Sequence, residues 1–133
     1  MKVFLGTFVF GLVLLAAVTM IHSERLVGGV GDEKEVDDDV KGVVASLSDS
    51  IKTAAFTSLT QSGENADATK FKNSSIDVLS YKTQVVAGLN YFVKVRIDGK
   101  IFHLRIYKHF SGSLELSKVA GPKPESDPIA YFQ

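Results

Sequence analysis

Histidines are the side chains in this sequence best suited to catalysis or metal binding near neutral pH, and none of the three lies in a pattern that supports either. His22 falls at the end of an apolar N-terminal segment, His103 lies in a predicted strand beside Arg105, and His109 lies near a predicted bend. No second histidine stands beside His103 at the spacing of a metal site. We therefore expect His103 to be a surface strand residue and His109 to have no catalytic role.

Other reactive patterns are also missing from the sequence. The absence of cysteine excludes a thiol nucleophile, and no serine lies in a Gly-x-Ser-x-Gly elbow. The GGVG segment at 28–31 has no phosphate-loop lysine, and the acidic run at 32–39 lacks the glycine and distal glutamate of a calcium loop. With 15 basic and 15 acidic residues, charge gives no case for nucleic acid or an anionic membrane. We predict no metal, no cofactor and no enzymatic activity.

The N-terminus has the pattern of a secretory signal peptide. Lys2 precedes an almost unbroken apolar run from Val3 to Val18, which polar residues follow. The alternative is a membrane anchor, for which the run is short against the roughly 20 residues that span a bilayer. We predict a signal peptide at 1–23, cleaved after Ser23, and a single secreted, extracellular domain at 24–133. A small secreted domain without disulfides must be stabilised by its core alone.

One helix is predicted ahead of the strands. Apolar residues recur at intervals of three and four from Val36 to Leu59, which makes one stripe along a helix. The acidic residues Asp37 to Asp39 lie where carboxylates cap free N–H groups, and Gly63 is a typical stop. A glycine-rich arm, defined here as Arg25 to Gly31, precedes this helix.

The second half of the chain has the alternation of β-strands. We predict strands at 75–86, 89–97, 100–108 and 113–120, with Asp98-Gly99 as a tight hairpin turn. The tail at 121–133 contains all three prolines and is predicted to be extended, with Tyr131 and Phe132 packed against the body. The fold class is therefore α+β: one helix packed on a four- to five-stranded antiparallel sheet whose other face meets water.

The bend between the first two strands is unusually apolar. Val85, Val86 and Ala87 precede Gly88, which can adopt backbone angles closed to other residues. From the residues alone, this bend is either an ordinary hairpin end packed under a loop or an exposed apolar contact surface.

A resemblance favours the exposed surface. Gln84 to Gly88, QVVAG, resembles the Gln-x-Val-x-Gly signature of the cystatin superfamily, inhibitors of papain-like cysteine proteases. YKTQVVAGLNYFVKV at 81–95 and FHLRIYK at 102–108 resemble strands of stefins, the cysteine-free members, while RLVGG at 25–29 resembles the arm of the secreted class. The resemblance implies reversible, tight, non-covalent inhibition of papain-like proteases such as cathepsins by a hydrophobic wedge.

The resemblance also implies which residues contact the protease. The expected contacts come from three segments: the arm, the hairpin bend and a second loop, as Leu26, Val27, Gly28, Gln84, Val85, Val86, Ala87, Gly88, Phe110 and Ser111. The second loop departs from the family, because Phe110-Ser111 replaces Pro-Trp or Leu-Pro and leaves the loop without proline. Asn65 in GENAD is a weak counterpart of the asparagine with which some members inhibit legumain, since the usual Ser-Asn-Asp pattern is absent.

Several alternatives remain open at this stage. Asn73 begins an Asn-Ser-Ser sequon, which can carry a glycan in a secreted chain. The altered second loop is compatible with a non-inhibitory secreted binding module on the same fold. The protein is predicted to be a monomer, and exchange of the hairpin between two chains would give a domain-swapped dimer.

Overall fold

The computed structural model describes residues 29–133 and shows an α+β fold of two layers. Helices α1 (Asp38–Ser46), α2 (Ser48–Gln61) and α3 (Ala68–Asn73) precede strands β1 (Ile76–Val86), β2 (Gly88–Ile97), β3 (Lys100–Lys108) and β4 (Leu114–Lys123). The strands form one antiparallel sheet in sequence order, and the helices pack on one of its faces. The predicted fold class is confirmed, whereas the leader at 1–23 and Leu26 to Gly28 lie outside the described residues.

The prediction of a single helix was wrong in two respects. The helical path breaks at Leu47, whose backbone is not helical, and the Ser46 hydroxyl donates to the Gly42 carbonyl just before the break. Such a side-chain bond competes with the helix and often bends it. The apolar stripe hides this break because buried residues continue across it, from Val44 to Ile51.

The second error is the missed helix α3. The Asp67 side chain caps it by accepting from the backbone N–H groups of Thr69 and Lys70, at 3.0 and 3.1 Å. Phe71 then points into the core, where its ring meets those of Phe56 and Phe102. A helix this short has no periodicity to detect, and it depends on the burial of Phe71.

Two tyrosines join the start of α1 to the sheet. Tyr81 donates to Asp37 at 2.7 Å, Tyr91 donates to Asp39 at 2.9 Å, and the two rings stack 6.2 Å apart. Asp37 also caps α1 by accepting from the Val40 N–H, and these bonds lower the pKa of its carboxyl. The bond to Asp37, with burial, raises the pKa of Tyr81 to about 12, so the phenol keeps its proton. The acidic run therefore fixes the helix on the strands that lead to the bend.

The face of the sheet turned away from the helices is more covered than predicted. Phe92 and Ile101 on that face are buried, and Ile129 of the C-terminal tail is also buried, at 2% exposed. The Phe92 ring contacts Tyr131 and Phe132 at 5.7 and 6.0 Å, which agrees with the predicted packing of the tail. Water therefore meets only part of this face.

His103 lies on this covered face, so the prediction of a surface residue was wrong. It is 4% exposed, and its Nε2 atom has no hydrogen-bond partner within residues 29–133. Burial, together with Lys123 and Lys94 nearby, lowers its pKa to about 4. The sequence suggested exposure because charged neighbours flank it, whereas in the fold it lies on the face where the tail packs on Phe92.

We expect His103 to make stability depend on pH. Its pKa lies near 6.5 in the unfolded chain and about 4 in the fold, so the unfolded chain binds more protons between these values. Its contribution is present above pH 6.5 and lost as pH falls toward 4, at most about 3 kcal/mol at 1.36 kcal/mol per unit. Urea unfolding of wild type and His103→Gln at pH 7 and 4.5 measures it. Between pH 7 and 4.5, His103→Gln should lose less of its free energy of unfolding than wild type. An equal loss in both proteins would contradict the assignment. His109→Gln, which changes an exposed histidine, is the control.

Candidate functional site

The bend between β1 and β2 and the second loop between β3 and β4 lie at the same end of the sheet. Val85 pairs with Leu89, Leu89 pairs with Lys108, and Lys108 pairs with Leu114, so one row of residues crosses all four strands. Just beyond this row lie Ala87, at the turn between β1 and β2, and the second loop at 109–113 between β3 and β4. The Asp98-Gly99 turn lies at the opposite end.

The end of the arm reaches this same end. Val30 pairs with Gln84 and Lys34 pairs with Tyr81, both antiparallel to the outer edge of β1. The Gly31 N–H donates to the Thr83 carbonyl at 2.8 Å, and the Lys34 N–H donates to the Tyr81 carbonyl at 2.7 Å. Because the pairing is antiparallel, Val30 lies nearer than Lys34 to the end of β1 that carries the hairpin tip. The structure therefore places Val30 and Gly31, the described end of the arm, at the end of the sheet that carries the tip and the second loop.

The hairpin tip, defined as Gln84 to Gly88, exposes part of its apolar surface. Val85 is 67% exposed and Ala87 is exposed, while Val86 is half-buried. Gln84 differs, since it is 7% exposed and its Oε1 accepts from Asn90 Nδ2 at 3.0 Å, across the strand pair. Gln84 therefore supports the base of the tip, and the apolar surface that the tip exposes is formed by Val85 to Ala87.

Gly88 has a conformation that another residue would strain. Its φ is 119°, and a Cβ at this position would lie 2.5 Å from the Lys108 carbonyl oxygen and 2.7 Å from the Tyr107 hydroxyl. Either the backbone angle or the contact alone would disfavour a side chain. Glycine is thus required for the sharp return of β2 beneath the tip.

The second loop is well defined although it contains no proline. The His109 N–H donates to the Ser113 carbonyl and the Gly112 N–H donates to the His109 carbonyl, each at 2.9 Å. Phe110 is 86% exposed at the outer end of this loop, and Ser111 beside it is exposed. Two backbone bonds therefore hold the loop and leave one large apolar ring facing solvent.

The remaining candidate residues lie apart from this end. Asn65 is exposed in the turn between α2 and α3; its neighbour Glu64 forms an ion pair with Lys100 at 2.7 Å, which places the turn at the opposite end of the sheet. Within residues 29–133 there is no cluster of three acidic, histidine or cysteine side chains able to hold a metal. None of the helices in that range is both long and apolar enough to cross a membrane.

Comparison with known proteins identifies the domain. A cystatin domain model matches residues 42–115. Cystatin-A2 of Dictyostelium discoideum is 40% identical over 106 residues, 80% of this chain and 97% of that protein. Cystatin-B of Oplegnathus fasciatus is 34% identical over 109 residues, 79% of this chain and 95% of that protein. Cystatin-A of Mus musculus is 41% identical over 69 residues, 50% and 71% of the two chains. The chain therefore belongs to the cystatin family.

The chain is stefin-like within that family, since it lacks cysteine and is similar to cystatins A and B. Membership supports cysteine protease inhibition in general terms and binding to papain-like cysteine proteases as a class. Family members are inhibitors and not enzymes, in line with the missing catalytic pattern.

The prediction of a secreted, extracellular protein was wrong. The relatives are of the stefin type, whose members are typically intracellular, and they point against secretion. A glycan on Asn73 depended on secretion and loses its basis, although the structure exposes that residue at the end of α3.

Proposed function

We propose that this protein is a reversible, tight-binding, non-covalent inhibitor of papain-like cysteine proteases of the cathepsin type. The inhibitory edge is defined as the arm, the hairpin tip and the second loop. The observation that carries the proposal is the pairing of Val30 with Gln84, because it holds the described end of the arm beside the tip, at the end of the sheet where the second loop also lies.

Energetics explain why three segments are needed. Full burial of a valine contributes about 1.5–3 kcal/mol, whereas association costs on the order of 4–15 kcal/mol. Val85 and Val86 alone therefore give little net affinity. The arm residues and Phe110 add contact area, and the second loop adds it with little further ordering cost because two backbone bonds already hold it.

The arm explains why the protease does not cleave its inhibitor. In this proposal Leu26 and Val27 occupy substrate-side pockets of the cleft. Gly28, which has no Cβ, lets the chain turn away before a peptide bond reaches the catalytic thiol. The inhibitor then needs no reactive group of its own.

Loss of the arm should accelerate dissociation. A chain that starts at Gly28 keeps the pairing of Val30 with Gln84 and so keeps the fold. Relative to a chain that starts at Glu24, we expect papain to dissociate at least about tenfold faster with a nearly unchanged association rate. Dissociation after dilution of the preformed complexes measures this. Equal rates for the two chains would remove Leu26 and Val27 from the inhibitory edge.

Removal of the exposed ring in the second loop should have a smaller effect. Phe110→Ala should weaken papain inhibition about tenfold, since a phenylalanine that is only partly buried in the complex contributes near the lower end of about 1.5–3 kcal/mol. Thermal stability should not change, because the ring is 86% exposed in the free protein. Inhibition constants for wild type and Phe110→Ala decide the point, and identical values would exclude Phe110 from the site.

Active-site titration with papain, followed by inhibition constants against a small panel of cathepsins, tests the function itself. Stoichiometric inhibition supports the proposal and ranks the targets. If the folded chain inhibits no enzyme of the panel, the alternative of a non-inhibitory binding module on a cystatin fold is favoured.

The same preparation, passed over a sizing column, tests the predicted monomer against a domain-swapped dimer.

A further inference from the structure

Tyr107 lies directly beneath the hairpin tip and bonds to it. Its hydroxyl donates a hydrogen bond to the carbonyl oxygen of Ala87, the residue at the apex of the turn. Ala87 lies between the paired residues Val86 and Gly88 and is outside the β1–β2 register, so the ladder between these strands does not fix it. The hydroxyl of Tyr107 thus connects the apex directly to β3, whose ladder with β2 begins only at the pair of Leu89 with Lys108.

The missing side chain of Gly88 leaves the space for this tyrosine. A Cβ at Gly88 would lie 2.7 Å from the Tyr107 hydroxyl and 2.8 Å from its ring carbon Cε1. The glycine and the tyrosine are therefore complementary in shape. A larger residue at 88 would displace the ring that bonds the apex.

The same ring also contacts the second loop. The rings of Tyr107 and His109 meet edge to face with centroids 4.5 Å apart. The Nε2 atom of His109 in turn lies 3.5 Å from a carboxylate oxygen of Glu115. The backbone N–H of His109 donates to the Ser113 carbonyl and so closes the loop. One side chain thus touches both hairpin turns at this end of the sheet.

We propose that Tyr107 is a positioning residue for inhibition, which holds the hairpin tip and the second loop in one fixed arrangement before the protease arrives. This proposal rests on the proposed function. Tyr107 acts through Ala87 and His109 and does not itself fill the cleft. Preorganisation of this kind raises affinity because the edge loses less freedom on binding.

Tyr107→Phe tests the proposal because it removes the hydroxyl and keeps the ring. We expect dissociation from papain to become about 3- to 10-fold faster, with an association rate within about twofold of wild type. In the free protein, the NMR order parameters of the Ala87 and Gly88 amides should be near 0.85 in wild type, as in rigid backbone, and below about 0.6 in the variant. The His103 region should not change.

Tyr91→Phe is the matched control, because it also removes a phenol hydrogen bond, here to Asp39 on α1. It should lower the stability to urea but leave the order parameters of the tip and the dissociation rate unchanged. The proposal is overturned if Tyr107→Phe keeps a rigid tip and the wild-type dissociation rate, or if Tyr91→Phe accelerates dissociation equally. If wild type does not inhibit papain, the proposed function fails, while the relaxation comparison still decides whether Tyr107 fixes the tip.

Discussion

Gly88→Ala is expected to weaken papain inhibition at least about a hundredfold while the protein remains folded. Alanine would have to adopt a φ near 119°, and its Cβ would lie 2.5 Å from the Lys108 carbonyl oxygen. Strain of this kind costs about 1–3 kcal/mol, and relief requires the tip to move away from β3. A displaced tip no longer lies level with the second loop, so the cleft cannot receive both. Inhibition constants and urea unfolding of the same preparations measure the two effects.

Gly63→Ala provides the control for Gly88→Ala. Gly63 also has a positive φ, of 90°, but a Cβ there meets nothing within 4 Å, and the residue follows α2, beside the turn that contains Glu64. It should lose some stability and no inhibition. If Gly88→Ala inhibits as well as wild type, the tip does not need its observed position and the wedge account is wrong.

Val85→Asp is expected to have the second large effect, a loss of affinity of about a hundredfold. The valine is 67% exposed in the free protein, so the fold gains little from it and should tolerate the change. In the complex, the carboxylate would lose its water in an apolar cleft without a partner, in addition to the lost burial of the valine. Titration of papain with the variant measures the loss.

Two matched variants separate shape from charge at this position. Val85→Thr keeps the shape and adds an uncharged hydroxyl, so it should lose much less affinity than Val85→Asp, whereas Ser50→Asp adds the same charge on the exposed surface of α2 and should change nothing. Equal inhibition by Val85→Asp and wild type would show that this side chain stays outside the cleft.

The sequence predicted the strands more accurately than the helices, for physical reasons. Alternation between Leu89 and Ile97, with the Asp98-Gly99 turn, specifies a hairpin locally, and the observed strand ends match it closely. The break at Leu47 was hidden because the apolar stripe runs through it. Helix α3 depends on the burial of Phe71, and His103 is buried by the folded chain around it; these are tertiary contacts that no local pattern records.

In the candidate site, too, local features could be predicted and tertiary contacts could not. The apolar residues and the glycine of the tip could be identified from the sequence, whereas the inward orientation of Gln84 and the bond from Tyr107 to Ala87 could not. Both depend on cross-strand register, which places Gln84 opposite Asn90 and Asn90 opposite Tyr107. Register is set by the whole sheet and not by any one segment.

Backbone hydrogen exchange of the chain, free and saturated with papain, tests the central claim most directly. The account predicts new protection at residues 29–31, at Val85 to Leu89 and at 109–113, with none at Gly63 to Asp67 or at Asp98-Gly99. Protection confined to the Asp98-Gly99 end, with the hairpin tip exchanging as in the free protein, would contradict it.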